Sequence, residues 1–428
     1  MNRFARKSLL VVGSIGMAAA MAACSSGSSS GGGGSDSGSG DDVTLTMWLW
    51  PGMGFAEKAK QYEEENPGIK INIQEAEYAD AHQNLITALA AGSGAPDISG
   101  VDEGYLERIK ESSDMFYDLS EYGAADLEGD YLDWKWKQAS SDDGSVIGIP
   151  TDIGPMAMAY RVDLFEEAGL PTDPDEVSQA LGTWDDYIKA GQKLKEETGS
   201  FMFSDVADLY SAIREQGDKQ YFETDGTLII EESPQILKAW DKSIEAMDIQ
   251  ANIERQTPEW GAAIANGDFA TVFLPPWMLQ NIKNDAPDTS GLWDISLMPE
   301  GSGNWGGSFL TVPAQSDHPQ EAYDFITWLM SPDNQLEIFE ENGNFPSTPG
   351  IYDEPAIKEL DDEFFIRKDI GAIYAEAATL VKDVYRAPMT APINTIMQDA
   401  LGTVADGAAE PDAAWDKAME EVDRQISR

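Results

Sequence analysis

The sequence predicts an α/β fold with a helix-rich C-terminal half, and three observations carry that expectation. Short apolar runs alternate with longer helical patterns from residue 42 onward. The first three of those runs follow a β-α-β-α-β order, which favours a parallel sheet with helices on its faces. The stretch so patterned is about 390 residues, more than one typical core holds, so two lobes are expected.

The elements follow in order. Val43-Thr44-Leu45-Thr46-Met47-Trp48 reads as a first strand, and Phe55 to Asn66 as a helix with Phe55, Ala59 and Tyr62 on one face. Pro67-Gly68 ends that helix, and Ile69, Ile71 and Ile73 alternate as a second strand. His82 to Ala91 is helical, and Asp97-Ile98 opens a third strand. Val146 to Ile149 and Met156 to Tyr160 are two further strands, split by Pro150-Thr151-Asp152-Ile153-Gly154-Pro155. Thr183 before Trp184-Asp185-Asp186 has the form of a helix N-cap with an acidic first turn. Leu237 to Met247 is a helix, while Ala270 to Leu274, Leu292 to Met298 and Leu310 to Val312 are extended. Beyond Pro319 nearly all is helical: Ala322 to Met330, Gln335 to Glu341, Ala372 to Val384 and Ile393 to Val404.

The N-terminus carries a different signal. Arg3, Arg6 and Lys7 precede the apolar, small-residue stretch Ser8 to Ala23, the layout of a signal peptide over residues 1–23. Cys24, the single cysteine, follows Met21-Ala22-Ala23 and resembles the lipobox cysteine of bacterial lipoproteins. That resemblance implies cleavage before Cys24, a diacylglyceryl group on its sulfur, and a place on the extracytoplasmic face of the cell membrane. The lipidated cysteine and the Ser/Gly-rich run after it, residues 24–41, form a flexible tether, too poor in apolar surface to fold.

The chain carries 77 acidic against 28 basic residues, a formal charge of −49. A signal peptide holding three basic residues and no acidic one leaves a mature chain near −52. Nucleic-acid binding by a basic face is excluded, and anionic substrates are disfavoured by long-range steering. No intramolecular disulfide can form. Only His82 and His318 are available for histidine chemistry, and His318 precedes a helix in a capping position. No HExxH, P-loop or strand-linked GxGxxG is present, so no cofactor is expected and catalytic residues are not assigned. A glycosidase needs only two placed carboxylates, and so many acids give that reading no specificity.

Aromatic usage is the positive signal. Twelve tryptophans are present, several in loops. Trp48 and Trp50 flank the end of the first strand, Trp260 starts a helix after Thr257-Pro258, and Trp277 follows Pro275-Pro276. Trp305 lies in Asn304-Trp305-Gly306-Gly307-Ser308. Ligands of open α/β sheets bind at the carboxyl ends of strands, where several of these rings emerge. An aromatic plane covers the C–H face of a sugar, and carboxylates and amides serve its hydroxyl rim. Asp97, Glu103, Asp152 and Asn304 are placed for that rim, and Tyr78 and His82 lie near the second strand. Trp134 and Trp136 are expected to pack in the core. For Trp277 the core reading is weaker, because Pro-Pro keeps its strand end out of regular pairing.

These segments carry a family resemblance. Tyr62-Glu63-Glu64-Glu65-Asn66-Pro67-Gly68-Ile69-Lys70-Ile71, Ala90-Ala91-Gly92-Ser93-Gly94-Ala95-Pro96-Asp97-Ile98, Tyr160-Arg161-Val162-Asp163-Leu164-Phe165-Glu166-Glu167-Ala168-Gly169-Leu170-Pro171 and Gly306-Gly307-Ser308 ahead of Leu310-Thr311-Val312-Pro313 resemble the extracellular solute-binding proteins of carbohydrate ABC importers, the group similar to maltose-binding protein. Asp133 to Gln138, Thr151 to Met156 and Pro275-Pro276-Trp277-Met278-Leu279 are closest to actinobacterial xylobiose- and cellobiose-binding lipoproteins.

The resemblance implies a two-lobed periplasmic-binding-protein-like fold with a hinge and an interlobe ligand cleft. One lobe would hold residues 42–152 and 271–331, and the other residues 153–270 and 332–428. The chain would cross between them near Asp152 to Pro155, near Ala270 to Pro275, and after Met330. The implied ligand is a neutral, β-linked plant oligosaccharide of xylo-, cello- or manno-type. An α-linked malto- or raffinose-type sugar and a secreted glycosidase stand as alternatives. Trp277 would stack on a sugar ring, Asp152 and Glu103 would accept hydroxyl hydrogen bonds, and Gly307-Ser308 would offer backbone donors. Phe345, Tyr385 and Arg386 sit where the second lobe closes, although Arg386 equally suits pairing with a surface acid. The implied partners are the ABC permease subunits, with the chain acting as a monomer.

Overall fold

The computed structural model describes residues 42–140, 144–360 and 362–427. The signal peptide, Cys24 and the tether lie outside the described residues.

Ten strands are assigned among the described residues: β1 (Val43–Leu49), β2 (Ile69–Glu75), β3 (Ile98–Asp102), β4 (Gly148–Pro150), β5 (Asp152–Ile153), β6 (Ala157–Arg161), β7 (Thr271–Leu274), β8 (Trp293–Ser296), β9 (Ser308–Thr311) and β10 (Phe345–Pro346). They form a five-stranded sheet of order β2-β1-β3-β9-β4, a three-stranded sheet of order β7-β6-β8, and the two-stranded pair β10-β5. β1 alternates as its sequence requires, with Leu45, Met47 and Leu49 buried and Thr46 and Trp48 between them half-buried. The isoleucines of β2 are only half-buried, as suits an edge strand.

The expected parallel sheet holds for β2, β1 and β3. It then turns mixed, because β9 runs antiparallel to both β3 and β4. β9 arrives from far along the chain, so no crossover helix dictates its direction. The helix Ala56–Glu65 buries Ala59 and Tyr62, whose ring lies 4.9 Å from Phe325 and 5.1 Å from Trp328. The Thr183 hydroxyl accepts from the Asp186 amide at 3.1 Å and caps the helix Trp184–Thr198. Trp134 and Trp136 are buried. His318 occupies the N-cap position of the helix Pro319–Leu329 without a side-chain capping bond.

Two differences from the sequence reading concern topology. The helix expected to reach Val384 ends at Leu380, and residues 381–387 run irregularly into Pro388. More consequentially, β7 and β8 both pair with β6. Strand pairing therefore keeps 271–296 with the second sheet, and the chain returns to the first only at β9. The return segment is 302–308, not Ala270–Pro275. An apolar run such as Thr271–Leu274 announces a buried strand but not which sheet receives it.

The two passing segments run side by side. Met156 N–H donates to the Gly303 carbonyl at 3.0 Å, Trp305 N–H to Gly154 at 2.7 Å, and Thr151 N–H to Ser308 at 2.9 Å. A third passage, Phe345–Pro346, pairs with Ile153 and Asp152.

Candidate functional site

β3 ends at Asp102, whose carboxylate accepts from the Gly104 amide at 2.8 Å and caps the helix Glu103–Lys110. This turn sets Glu103 at the carboxyl end of a strand, with its amide donating to the Gly307 carbonyl at 3.0 Å. The Glu103 side chain is buried. Its Oε2 accepts from Asn304 Nδ2 at 2.7 Å and lies 3.8 Å from Lys135 Nζ, while Oε1 lies 3.2 Å from Arg386 Nη2. Arg386 also donates to both oxygens of Glu215, at 2.8 and 3.3 Å. Glu215 is shared with Arg214, at the end of the helix Val206–Arg214, and Gln220 Nε2 donates to it at 3.1 Å.

This buried network sets Lys135, Arg214 and Arg386 against the carboxyls of Glu103 and Glu215. Burial raises the Glu103 pKa above the ordinary carboxylate value, against the pull of Arg386 and Lys135. Burial acts the same way on Glu215, but Arg214 and Arg386 outweigh it and hold that carboxyl below its ordinary value. Asp152 is raised by burial against its bonds to Thr151 and the attraction of Lys135. Lys135 is lowered by burial, and its ammonium rests 4.0 Å from the centre of the Phe309 ring.

Above the network lies a cleft of about 410 Å³. Tyr78, Glu103, Tyr105 and Arg108 line one side of it, and Arg386 and Asn394 the other. An adjoining compartment of about 140 Å³ shares Arg214 and Asn394 and extends to Trp305 and Arg255. Trp305 is 42% exposed, and its ring is backed by the Arg255 guanidinium at 4.9 Å. Arg255 is itself fixed, donating to Asp208 and to the Phe273 carbonyl, each at 3.0 Å. A separate hollow of about 570 Å³ lies between the helices Thr390–Ala405 and Pro411–Ile426. Alanines make up half of its lining, together with Asp399, Lys417, Glu421 and Arg424.

The residues singled out in the sequence divide sharply. Tyr78, Glu103 and Arg386 line the one cleft. Trp277 is half-buried with its ring against Gly154 and Gly306. Trp50 packs on the His82 ring at 4.8 Å, and Trp48 donates through Nε1 to Gln74 on β2 at 3.2 Å. Tyr385 is half-buried against the core.

Several assignments need correction. Trp260 and Phe345 are core residues, 1% and 0% exposed. His82 is buried with both ring nitrogens committed, one to the Tyr78 carbonyl at 2.7 Å and one to the Asp102 amide at 2.9 Å. The Asn304 amide is fully used: Oδ1 accepts from Gly154 N–H at 2.8 Å, and Nδ2 donates to Glu103 and the Gly306 carbonyl. The Ser308 amide, expected as a donor to ligand, is taken by Asp152 Oδ1 at 3.0 Å. Asp97 sits before β3, away from the carboxyl ends, bound to Thr46 and Ser316. Arg386 pairs with acids, but buried ones.

Residues 57–364 match the family of bacterial extracellular solute-binding proteins, a span well over half the chain. The chain is a member of that family. An arabinooligosaccharide-binding protein of Halalkalibacterium halodurans is 23% identical over 398 residues, covering 87% of each chain. A lactose-binding protein of Rhizobium radiobacter is 29% identical over 72% of this chain and 75% of its own. The crystal structure of an extracellular solute-binding protein family 1 member superposes with a TM-score of 0.85 at 34% identity, covering 89% of this chain and 99% of the other. The fold is thus that of the two-lobed solute-binding proteins.

In this solute-binding protein, sequence reasoning missed Arg214, Glu215 and Arg255. Each sits at a helix end or in a loop with nothing local to mark it among so many charges. Trp305 carried a signal in its Asn-Trp-Gly-Gly loop, but nothing in the sequence ranked it above Trp260.

Proposed function

We propose that the chain captures a neutral oligosaccharide in the cleft between its two sheets and delivers it to an ABC importer. The observation that carries this reading is the cleft's make-up: arginines paired with carboxylates beside open aromatic faces. Paired charges present directed donors and acceptors to hydroxyls without selecting a net charge. Aromatic planes meet the C–H faces of the rings. The family of binding proteins and the sugar-binding names of the relatives support the same reading.

One lobe is built on the five-stranded sheet and the other on the three-stranded sheet, with residues 150–157, 302–308 and 343–348 as the hinge. The sugar bridges both lobes and stabilises the closed form by its differential contacts. Trp277 and Trp305 stack on sugar rings, and Glu103 and Arg386 serve hydroxyls. The ligand is a β-linked oligosaccharide of plant origin, and the protein is held by a lipid on Cys24 as a monomer until the permease engages it. Among the described residues no helix is long and apolar enough to cross a membrane.

The glycosidase alternative has less support. Glu103 and Glu215 share one guanidinium, whereas hydrolysis needs two carboxyls flanking a gap that holds the scissile bond.

A thermal-shift screen across arabino-, xylo-, cello-, manno-, galacto-, malto- and raffinose-type sugars tests the reading, since a ligand of the native state raises its melting temperature. A shift with a β-linked series and recovery of the sugar intact is the expected result. No shift with any sugar refutes the receptor, and shortened products refute the purely binding role.

A further inference from the structure

At one end of the cleft, three rings are packed around a histidine that the sequence marks as a ligand contact. His82 cannot serve a ligand, because its ring is 1% exposed and pinned at two main-chain groups. Nδ1 donates to the Tyr78 carbonyl, at the start of the helix Tyr78–Ala91, and Nε2 accepts from the Asp102 amide, at the end of β3. An imidazole tied to two separate elements cannot swing. Its plane is a fixed surface.

Tyr105 lies on that surface. The two ring centres are 4.0 Å apart and the planes differ by 11°. Trp50 packs on the same imidazole at 4.8 Å, and the Tyr78 ring meets it edge-on at 4.9 Å. Tyr78 also holds Tyr105 from the side, at 5.6 Å and 68°, and its own hydroxyl is donated to Asp102 at 2.7 Å. Tyr105 is half-buried and lines the 410 Å³ compartment. Trp305 lines the adjoining 140 Å³ compartment, and Arg214 and Asn394 belong to both.

We propose that Tyr105 is a further stacking platform for a glycosyl ring beside Trp277 and Trp305, that with Trp305 it sets the ligand length the cleft prefers, and that His82 is the positioning residue that holds it. The inference rests on the oligosaccharide reading above. One ring face of Tyr105 is filled by the imidazole, and the remainder of the side chain borders the cavity. A buttressed aromatic offers stacking area without the entropy cost of fixing a mobile ring. A short sugar occupies one compartment and uses one platform. A longer one crosses Arg214 and Asn394 and uses both.

Calorimetric titration of the full chain with arabino-, xylo- and galacto-oligosaccharide series, each from mono- to tetrasaccharide, tests this. Wild-type affinity is expected to rise with length in the series that binds. Tyr105→Ala should weaken the longest member about tenfold or more, the loss expected of a truncated aromatic anchor, and leave the shortest binding member nearly unchanged. Tyr105→Phe should retain the length dependence. His82→Ala should flatten it as Tyr105→Ala does, and the double variant should be no weaker than Tyr105→Ala alone. A general structural role for His82 would instead add to the loss. Equal loss at every length, or no loss, overturns the inference. Binding of no series by the wild type overturns the oligosaccharide reading itself, a result obtained before any variant is made. Melting of the unliganded variants checks folding, and if His82→Ala is unfolded the two Tyr105 variants decide.

Discussion

Arg386 is the point at which the two halves of the cleft are tied, so its removal has a calculable cost. Its guanidinium lies 3.2 Å from Glu103 and 2.8 Å from Glu215, and both carboxylates are only 7% exposed. Arg386→Met keeps most of the apolar stem and deletes the charge. Breaking a buried ion pair from one side costs about 3–5 kcal/mol, because the remaining charge stays desolvated. Here Glu215 keeps Arg214 and Gln220, and Glu103 keeps Asn304 and a distant Lys135. The expected loss therefore falls at the low end, about 3 kcal/mol. Equilibrium urea unfolding followed by tryptophan fluorescence measures it.

The pH dependence supplies a second signature. Without Arg386, burial leaves the folded-state pKa of Glu103 further above its ordinary value of 4.5, and Glu215 loses much of what held it low. A carboxyl raised in the folded state takes up its proton there first as pH falls. The deficit should thus shrink as pH falls from neutrality toward the ordinary carboxylate range. Adding Glu103→Gln should restore about half of it at neutral pH, by removing one stranded charge. A loss below about 1 kcal/mol, or a deficit indifferent to pH, would refute the reasoning.

Four further expectations follow from the same structure. A Cβ at Gly154 would overlap the Trp305 carbonyl oxygen and lie 2.5 Å from the Trp277 ring, so Gly154→Ala should cost about 1–3 kcal/mol in urea and weaken sugar binding by displacing both tryptophans. Trp277→Ala should cost about 1–3 kcal/mol of affinity by calorimetry with a modest change in stability, whereas Trp260→Ala should cost about 3–5 kcal/mol of stability with little effect on affinity. An interchange of those two outcomes would return Trp260 to the site. Burial holds the His82 pKa below its ordinary 6.5, so the folded state binds fewer protons there than the unfolded state. Its contribution is intact above about pH 6.5 and lost as pH falls through that range; stability curves of wild type and His82→Gln should differ at neutral pH and converge on the acid side. Finally, affinity for a neutral sugar should change less than about twofold between low and high salt, and a steep fall would indicate an anionic ligand.

How much of this was legible in the sequence depends on the range of the interaction that decides each feature. Thr183 caps its helix, Ile69 to Ile73 alternate, and Phe55, Ala59 and Tyr62 share a buried face, because contacts within a few residues settle these matters. The sheet to which Thr271–Leu274 belongs is settled by a partner strand more than a hundred residues away, and no local pattern encodes it. The candidate site splits along the same line. Glu103 was legible from its place after a strand, as was the Asn304 loop as a whole. The use of the Asn304 amide was not, since Gly154, Glu103 and Gly306 converge on it from three parts of the chain. Trp260 and Trp305 are both loop-adjacent tryptophans in sequence. Only packing on Phe269 in one case, and on Arg255 at the cleft in the other, tells them apart.

Several residues expected to touch ligand hold a neighbouring group in place. His82 backs Tyr105. Asn304 joins Glu103 to the passing segment at Gly154. Ser308 receives Asp152 through its amide, and Gly307 anchors the Glu103 backbone through its carbonyl. A polar group whose bonds are all made inside the protein contributes to recognition by fixing the geometry of its neighbours, not by direct contact. The same logic extends to the arginines. In a chain of 28 basic against 77 acidic residues, Arg108, Arg214, Arg255 and Arg386 all line the adjoining compartments. Arg214, Arg255 and Arg386 are held by carboxylates. Their charges are spent within the fold, and what they present to the cleft is a rigid array of N–H donors. On the oligosaccharide reading proposed above, such an array distinguishes sugars by where their hydroxyls point, provided that the segments passing at Gly154 and Gly307 keep the two halves in register.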